Sequence, residues 1–259
     1  QINDKCMSLI TLFSASLIFY WLFFSITAKL FYSNANNSYF YVFSGVGLVA
    51  LNLFYLIAQN ITITQPTSIR QWLITILIII SGYNISSIAL SKKNEINFNN
   101  RKISTIKDYI RILLTLGGFH FLATAPILSI HHLPGSYMLN WFDFIGLTLW
   151  TLGAYYQITA TSQKKVFTET PENSFITFKD GFWKNCRHPD FLGIIIQLWA
   201  FYLIAIGNSS GIFSFFGPLI ITFILLKIII PKIDKVLSKK LNDYKKYFSN
   251  TKMVFPNIY

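Results

Sequence analysis

Apolar residues recur along the chain in long uninterrupted runs, at Met7–Thr27, Tyr39–Ala58, Gln71–Leu90, Tyr109–Ile130, Met138–Thr159, Phe191–Ile206 and Gly211–Ile230. A helix rising 1.5 Å per residue needs roughly 20 apolar residues to cross the hydrocarbon core. Each run therefore reads as a spanning helix. The sixth is short and lies close to the seventh, so this pair forms either two spans or a hairpin that enters the bilayer part way. In lipid the backbone must satisfy its own hydrogen bonds, and successive runs of this length do so as an all-α polytopic bundle of about seven spans rather than as a barrel. The whole chain, 1–259, reads as a single integral membrane domain, with the first four spans in residues 1–137 and the last three in 138–259.

Basic residues orient the bundle. Lys92, Lys93, Arg101, Lys102, Lys107 and Arg111 follow the third span, Lys164, Lys165, Lys179, Lys184 and Arg187 lie between the fifth and sixth, and seven lysines from Lys232 to Lys252 form the tail. The connections after spans four and six carry no Lys or Arg, and the one after span two carries only Arg70. Seven spans put all three clusters on one face, which places the N-terminus outside and the C-terminus in the cytosol of a bacterial inner membrane or an endoplasmic reticulum.

Composition removes the soluble alternative, since 53% of residues are hydrophobic and only 12% charged, against about 25% charged in soluble domains. The net charge of +12 is accounted for by topology and attraction to anionic lipid heads, so no nucleic acid partner is needed. What is left over for function is that some of these cations face a polyanionic cofactor. Met7–Thr27 is too long for a signal-peptide core and reads as a span. Cys6 falls near the outer end and Cys186 in a cytosolic loop, so no disulfide joins them. Cys186 reads as an ordinary loop cysteine; the alternative is a thiol acidified by Arg187 and Lys184.

Most of the chemistry lies between Gly153 and Tyr259. Gln157, Thr161 and Lys165, at i, i+4 and i+8, share one stripe of the fifth span. Such a stripe either packs on a neighbouring helix as polar glue or lines a wet cavity open to the cytosol. Further on comes Gly181-Phe182-Trp183-Lys184-Asn185-Cys186-Arg187-His188-Pro189-Asp190-Phe191-Leu192-Gly193. Gly181 permits a tight turn, Trp183 suits an interfacial anchor, and Pro189 with Asp190 suits the first turn of the sixth helix. Helix entry does not require the adjacent Arg187 and His188. At a helix N-terminus they make an anion site from side-chain cations and free backbone N–H groups.

The segment Gly181–Gly193 resembles the G-L-W-x-x-x-R-H-P-N-Y-x-G-E signature of the steroid 5-alpha-reductase-like membrane family. The ending is similar too: Leu225-Leu226-Lys227, the Lys-rich helix, Tyr244 with Tyr247, and Phe255-Pro256 match that family's L-L-K, Y-x-x-Y and F-I-P elements. The resemblance covers about residues 145–259; the first four spans match only in hydropathy. It implies a bundle that binds NADPH in a cytosol-facing cavity of its C-terminal half and reduces a carbon–carbon double bond conjugated to a carbonyl in an apolar lipid or steroid-like substrate. By that resemblance Arg187, His188, Asp190 and Gly193 fall on motif positions. Gln157 and Thr161 fall where the family has Asn or Glu and then Asp, Lys232 falls near a cofactor-contacting Arg, and Tyr244 is a further cofactor contact. Lys165 joins Arg187 and Lys232 as charge for the phosphates. The motif's final Glu is Ile194 here, and Thr161 also replaces an acid. In place of the family's Glu on the second span and Tyr on the third, this chain offers Asn52 and Tyr55, then Tyr83 and Asn84, and Tyr83 is taken as the donor that polarises the substrate carbonyl.

A second reading is an S-adenosylmethionine-dependent methyltransferase of the isoprenylcysteine carboxyl methyltransferase type, which shares the R-H-P element. Against it, the tail offers Asp234 and Lys235 where a Glu-Glu pair is expected. A third is a non-catalytic lipid-binding or scaffold protein, favoured by the lost acids. Of the remaining intramembrane polar groups, Asp143 reads as a hydrated helix end or a functional acid, and His120 as a hydrogen-bonded histidine inside the bundle or a proton donor. His131 and His132 read as outer-loop residues, and no Cys/His/Asp cluster suggests a metal.

Overall fold

The structure, a computed structural model, describes residues 14–20, 22, 23, 26, 38–62, 66–91, 110, 117–132, 138–173, 175–207 and 209–255. The regular structure among these residues is helical. After helical residues at 14–20, the α-helices run in chain order as α1 Ser38–Thr62, α2 Ile69–Ser91, α3 Gly118–Ala123, α4 Ala125–His132, α5 Trp141–Glu169, α6 Pro189–Ile206, α7 Phe216–Ile224, α8 Ile230–Lys240 and α9 Tyr244–Asn250. Among the described residues the β-type pairing is one isolated parallel bridge between Cys186 and Lys252. Cys6 and the basic residues from Lys92 to Arg111 lie outside the described residues.

Three helical runs among the described residues are long and apolar enough to cross a bilayer: Ile69–Ser87, Pro189–Ile206 and Gly211–Lys240. They correspond to the expected third, sixth and seventh spans. A shorter apolar stretch covers Ser44–Ala58, within the second. The fifth, α5, is 29 residues long and runs ten residues past its expected end at Thr159. Those residues include the helix formers Gln163, Lys164, Lys165 and Glu169, and Lys165 pairs with Glu169 at 3.8 Å across one turn. The expected seventh span likewise continues, through a π-helical turn at Leu225–Ile229 into α8. Pro231 lacks the N–H that would close the regular ladder there, which accounts for the widened turn. The fourth span, expected as one helix to Ile130, is interrupted at Thr124, whose backbone N–H closes α3 on the His120 carbonyl at 3.0 Å. Pro126 follows two residues later and restricts the backbone before it.

The chain divides into two compact units, Gln1–Phe144 with Phe201–Gly217, and Ile145–Ala200 with Pro218–Tyr259. The first is cored by Leu51, Tyr55, Ile74, Ile78, Ile127 and Ile130. Its firmest electrostatic contact is a two-pronged ion pair: Arg70 Nε and Nη2 each lie 2.7 Å from an oxygen of Asp143. Asp143, expected as a hydrated helix end or a functional acid, is completely buried, and it also accepts the Asn140 backbone N–H at 2.7 Å. Asn140 in turn donates to the Gly207 carbonyl at 2.8 Å. His120 is buried beside Tyr20, with ring centroids 5.7 Å apart. The second unit is cored by Trp150, Ala160, Trp183, Ile195, Ile221, Leu225, Tyr244 and Tyr247.

Candidate functional site

In the second unit, α5 and α6 cross with their backbones in contact. A Cβ on Gly153 would lie 2.8 Å from the Gly193 carbonyl oxygen, and one on Gly193 would lie 2.5 Å from that of Gly153. Small residues at a helix crossing of this kind let the backbones approach where lipid offers no hydrophobic drive. Gly193 thus serves the crossing. Gln157 does too, because its amide oxygen accepts from Gln197 Nε2 at 2.7 Å, the polar-glue alternative for that stripe. Thr161 is half-buried on α5 and Lys165 is exposed.

The motif loop folds back on α5. Gly181 takes φ +57°, a left-handed conformation open mainly to glycine, and a Cβ there would meet the Gln163 side chain at 2.5 Å. Gln163 Oε1 accepts the Phe182 N–H at 3.2 Å, and the Phe182 ring stacks on Tyr156 with centroids 4.6 Å apart. Trp183, expected as an interfacial anchor, is buried instead. Its indole N–H donates to the Ala160 carbonyl at 2.9 Å, and the Lys164 ammonium lies 4.4 Å from the centre of its ring.

After this loop the chain meets its own C-terminal tail. The backbone N–H groups of Arg187 and His188 donate to the carbonyls of Lys252 and Met253 at 2.8 and 3.0 Å. Arg187 Nη1 donates to the carbonyls of Phe248 and Thr251 at 2.7 and 2.9 Å, with the guanidinium 3.9 Å from the centre of the Phe248 ring. Asp234, on α8, draws the cluster together. One of its oxygens accepts from Arg187 Nη2 at 3.2 Å; the other accepts from His188 Nε2 at 2.8 Å and from the Tyr244 hydroxyl. Because a carboxylate only accepts, His188 carries a proton on Nε2. The Tyr247 hydroxyl donates to the carbonyls of Trp183 and Cys186, which holds α9 to the motif loop.

Burial, reinforced by the Asp234 carboxylate, raises the Tyr244 hydroxyl well above its ordinary range. It stays protonated and serves as a donor. Burial also pushes the Cys186 thiol up to about 11, so the acidified thiol is not the form present.

Two polar atoms of the motif segment are left open. Arg187 Nε and one carboxylate oxygen of Asp190, in the first turn of α6, are each buried with no hydrogen-bond partner. Apart from the half-buried Thr161 and from Tyr83, the site residues expected from sequence fall into four groups. Arg187, His188 and Tyr244 converge on Asp234; Gln157 and Gly193 sit at the α5–α6 crossing; Asp190 has an open acceptor; Lys165 and Lys232 are exposed on their helices. Tyr83 lies in the first unit, 76% exposed on α2, so its hydroxyl faces outward. Asp234, Tyr247 and Gln197 were not singled out as site residues. Asp234 is the only acid between Asp190 and Asp243, and Tyr244 and Tyr247 are spaced to share a helix face, which is the signal that points to them. Among the described residues no group of three His, Cys, Asp or Glu could hold a metal ion.

A family model matches residues 42–251. The chain belongs to DUF1295, a family of proteins of unknown function. The matched stretch starts inside α1 and takes in α2 to α4 along with the motif, Asp234 and both tail tyrosines. No curated protein and no solved structure matches the chain.

The tail has a second fastening, outside the apolar helices. Asp243, just before α9, accepts from the Thr177 backbone N–H at 2.9 Å, the Thr177 hydroxyl at 2.6 Å and the Lys179 ammonium. Burial pushes this carboxyl up, but those hydrogen bonds outweigh it and bring it down from its ordinary 3.8 to about 2. A carboxyl lowered on folding stabilises the folded state above its unfolded pKa and loses that contribution as pH falls through the folded one. The Asp243 contact is thus expected to release as pH falls from about 4 to about 2. Hydrogen exchange at the Thr177 amide, corrected for the intrinsic pH dependence, should report the loss; protection unchanged to pH 2 would contradict it.

Proposed function

We propose that this protein is a membrane reductase that uses NADPH to saturate a conjugated carbon–carbon bond in an apolar lipid or steroid-like substrate. In this reading the seven expected spans place the motif and tail in the cytosol, where NADPH is found. The observation that carries it is that two polar atoms of the motif, the donor Arg187 Nε and the acceptor Asp190 Oδ1, are each buried without a hydrogen-bond partner, three residues apart in the chain. A carboxamide offers one acceptor and one donor, and the nicotinamide ring carries such a group. Buried polar atoms are costly to leave unmet, so an unmet pair at the end of a helix favours a ligand that meets both.

Bound there, the cofactor would supply hydride. The chain's own part is to hold it. Arg187 and Asp190 orient the carboxamide, and the Asp234 cluster fixes Arg187 so that Nε is presented in one direction. The exposed Lys165 and Lys232 supply positive charge for phosphates at the cytosolic face.

The methyltransferase reading keeps one supporting observation, since an Arg and an Asp also complement the carboxylate and ammonium of S-adenosylmethionine. Calorimetry on the purified full chain separates the two. Titration with NADPH is expected to give saturable heat and S-adenosylmethionine none. The reverse would favour the methyltransferase, and heat from neither, with the protein folded, would favour a non-catalytic scaffold.

A further inference from the structure

The first unit contains a buried polar file, linking α1, α2 and α4, that the functional reading above does not use. Its hydrogen bonds run in one direction. The Thr75 hydroxyl donates to the Gln71 carbonyl at 2.7 Å, because a carbonyl can only accept. Thr75 Oγ1 therefore accepts, and its donor is the Asn52 amide nitrogen, 3.0 Å away. That leaves Asn52 Oδ1 facing His131 Nε2 at 3.0 Å, and since an amide oxygen also only accepts, Nε2 carries the ring proton. Asn52, Thr75 and His131 are all buried. So His131, expected as an outer-loop residue, lies in the last turn of α4, inside the unit.

The other ring nitrogen of His131, Nδ1, is buried with no hydrogen-bond partner. Tyr55 packs beside the ring, with centroids 5.9 Å apart, and the Tyr55 hydroxyl is engaged by Ser16 and Thr124. The buried acid of this unit, Asp143, is held by Arg70. An imidazolium at His131 would be a buried cation with no counter-ion among the described residues, which is unfavourable. The neutral ring therefore turns a bare lone pair into the interior.

We propose that His131 Nδ1 accepts the hydroxyl hydrogen of an apolar alcohol, making the first unit a binding site for a lipid-like molecule with a hydroxyl end. The choice of an apolar occupant rests on the reductase reading and narrows it, because the substrate must then carry a hydroxyl. A ketone oxygen, itself an acceptor, would meet a second acceptor at Nδ1.

The test uses the full chain in detergent and a C16 alcohol carrying a diazirine and an alkyne handle, compared with its methyl ether. The alcohol should label peptides of α1 or α4 about fivefold more than the ether, the ratio an ordinary hydrogen bond supports. His131→Gln keeps an amide at the Nε2 position and removes Nδ1, so it should lower alcohol labelling to that of the ether. His131→Asn, which keeps a polar atom at the Nδ1 position, should retain the preference. Equal labelling by alcohol and ether in the unaltered protein, or a preference that survives His131→Gln, overturns the proposal and leaves water as the partner of Nδ1. A readout that needs no variant is the 15N resonance of His131 Nδ1. It should move upfield on adding the alcohol and stay put with the ether, and an unmoved resonance equally overturns the site. NADPH calorimetry on the same samples is independent, so loss of alcohol selectivity with cofactor binding intact sinks this site alone.

Discussion

Asp234→Ala is expected to lower stability by about 3–5 kcal/mol, the usual cost of removing one partner from a buried charged cluster. The substitution strips the acceptor from three buried donors at once: Arg187 Nη2, His188 Nε2 and the Tyr244 hydroxyl. Arg187 would keep its bonds to the tail carbonyls but lose its counter-charge. Tyr244→Phe, which removes a single hydroxyl bond, should cost only about 1 kcal/mol. Thermal unfolding in detergent, followed by tryptophan fluorescence, measures both, and limited trypsin cleavage in the lysine-rich tail should accelerate in Asp234→Ala. Equal stability of the two variants would show that Asp234 does not organise the tail.

Arg70→Leu should be equally severe and should act in the other unit. Among the described residues it leaves the fully buried Asp143 carboxylate with the Asn140 N–H as its remaining hydrogen bond, again at about 3–5 kcal/mol. The informative partner is the double variant. Replacing both ends of a buried ion pair with apolar side chains is often neutral or better, so Arg70→Leu with Asp143→Leu should recover most of the loss. A double variant as unstable as the single one would mean that Asp143 matters through Asn140 and not through the pair.

These two sites mark the limit of what hydropathy and motif reading could see. The apolar runs around Gln71–Leu90, Phe191–Ile206 and Gly211–Ile230 are legible because a bilayer imposes a length, and helices of sufficient length form there. Cluster membership is legible in part. The Arg187-His188 pair stood out because helix entry alone does not explain it. Its use did not, because the partners lie 46 or more residues downstream at Asp234 and the tail carbonyls, and backbone acceptors leave no mark on composition. Arg70 was noted only as an exception to the charge pattern, and Asp143 only as an acid near a helix end; their pairing joins residues 73 apart. Tyr83 is legible as a hydroxyl on an apolar span, but its exposure depends on packing that the low amphipathicity of that helix does not encode. The division of the Gln157 stripe among packing, partial burial and exposure was undecidable for the same reason.

The claim on which the functional account depends is that Asp190 and Arg187 Nε hold the cofactor while the rest of the motif holds the tail. NADPH titration into Asp190→Ala, by calorimetry, tests it most directly. Removing a helix-entry carboxylate should cost the fold no more than about 1 kcal/mol, whereas losing a charge-assisted bond to the ligand should weaken binding about tenfold or more. The account predicts a folded variant with nearly unchanged melting and that much weaker affinity. Affinity equal to that of the unaltered protein would contradict it.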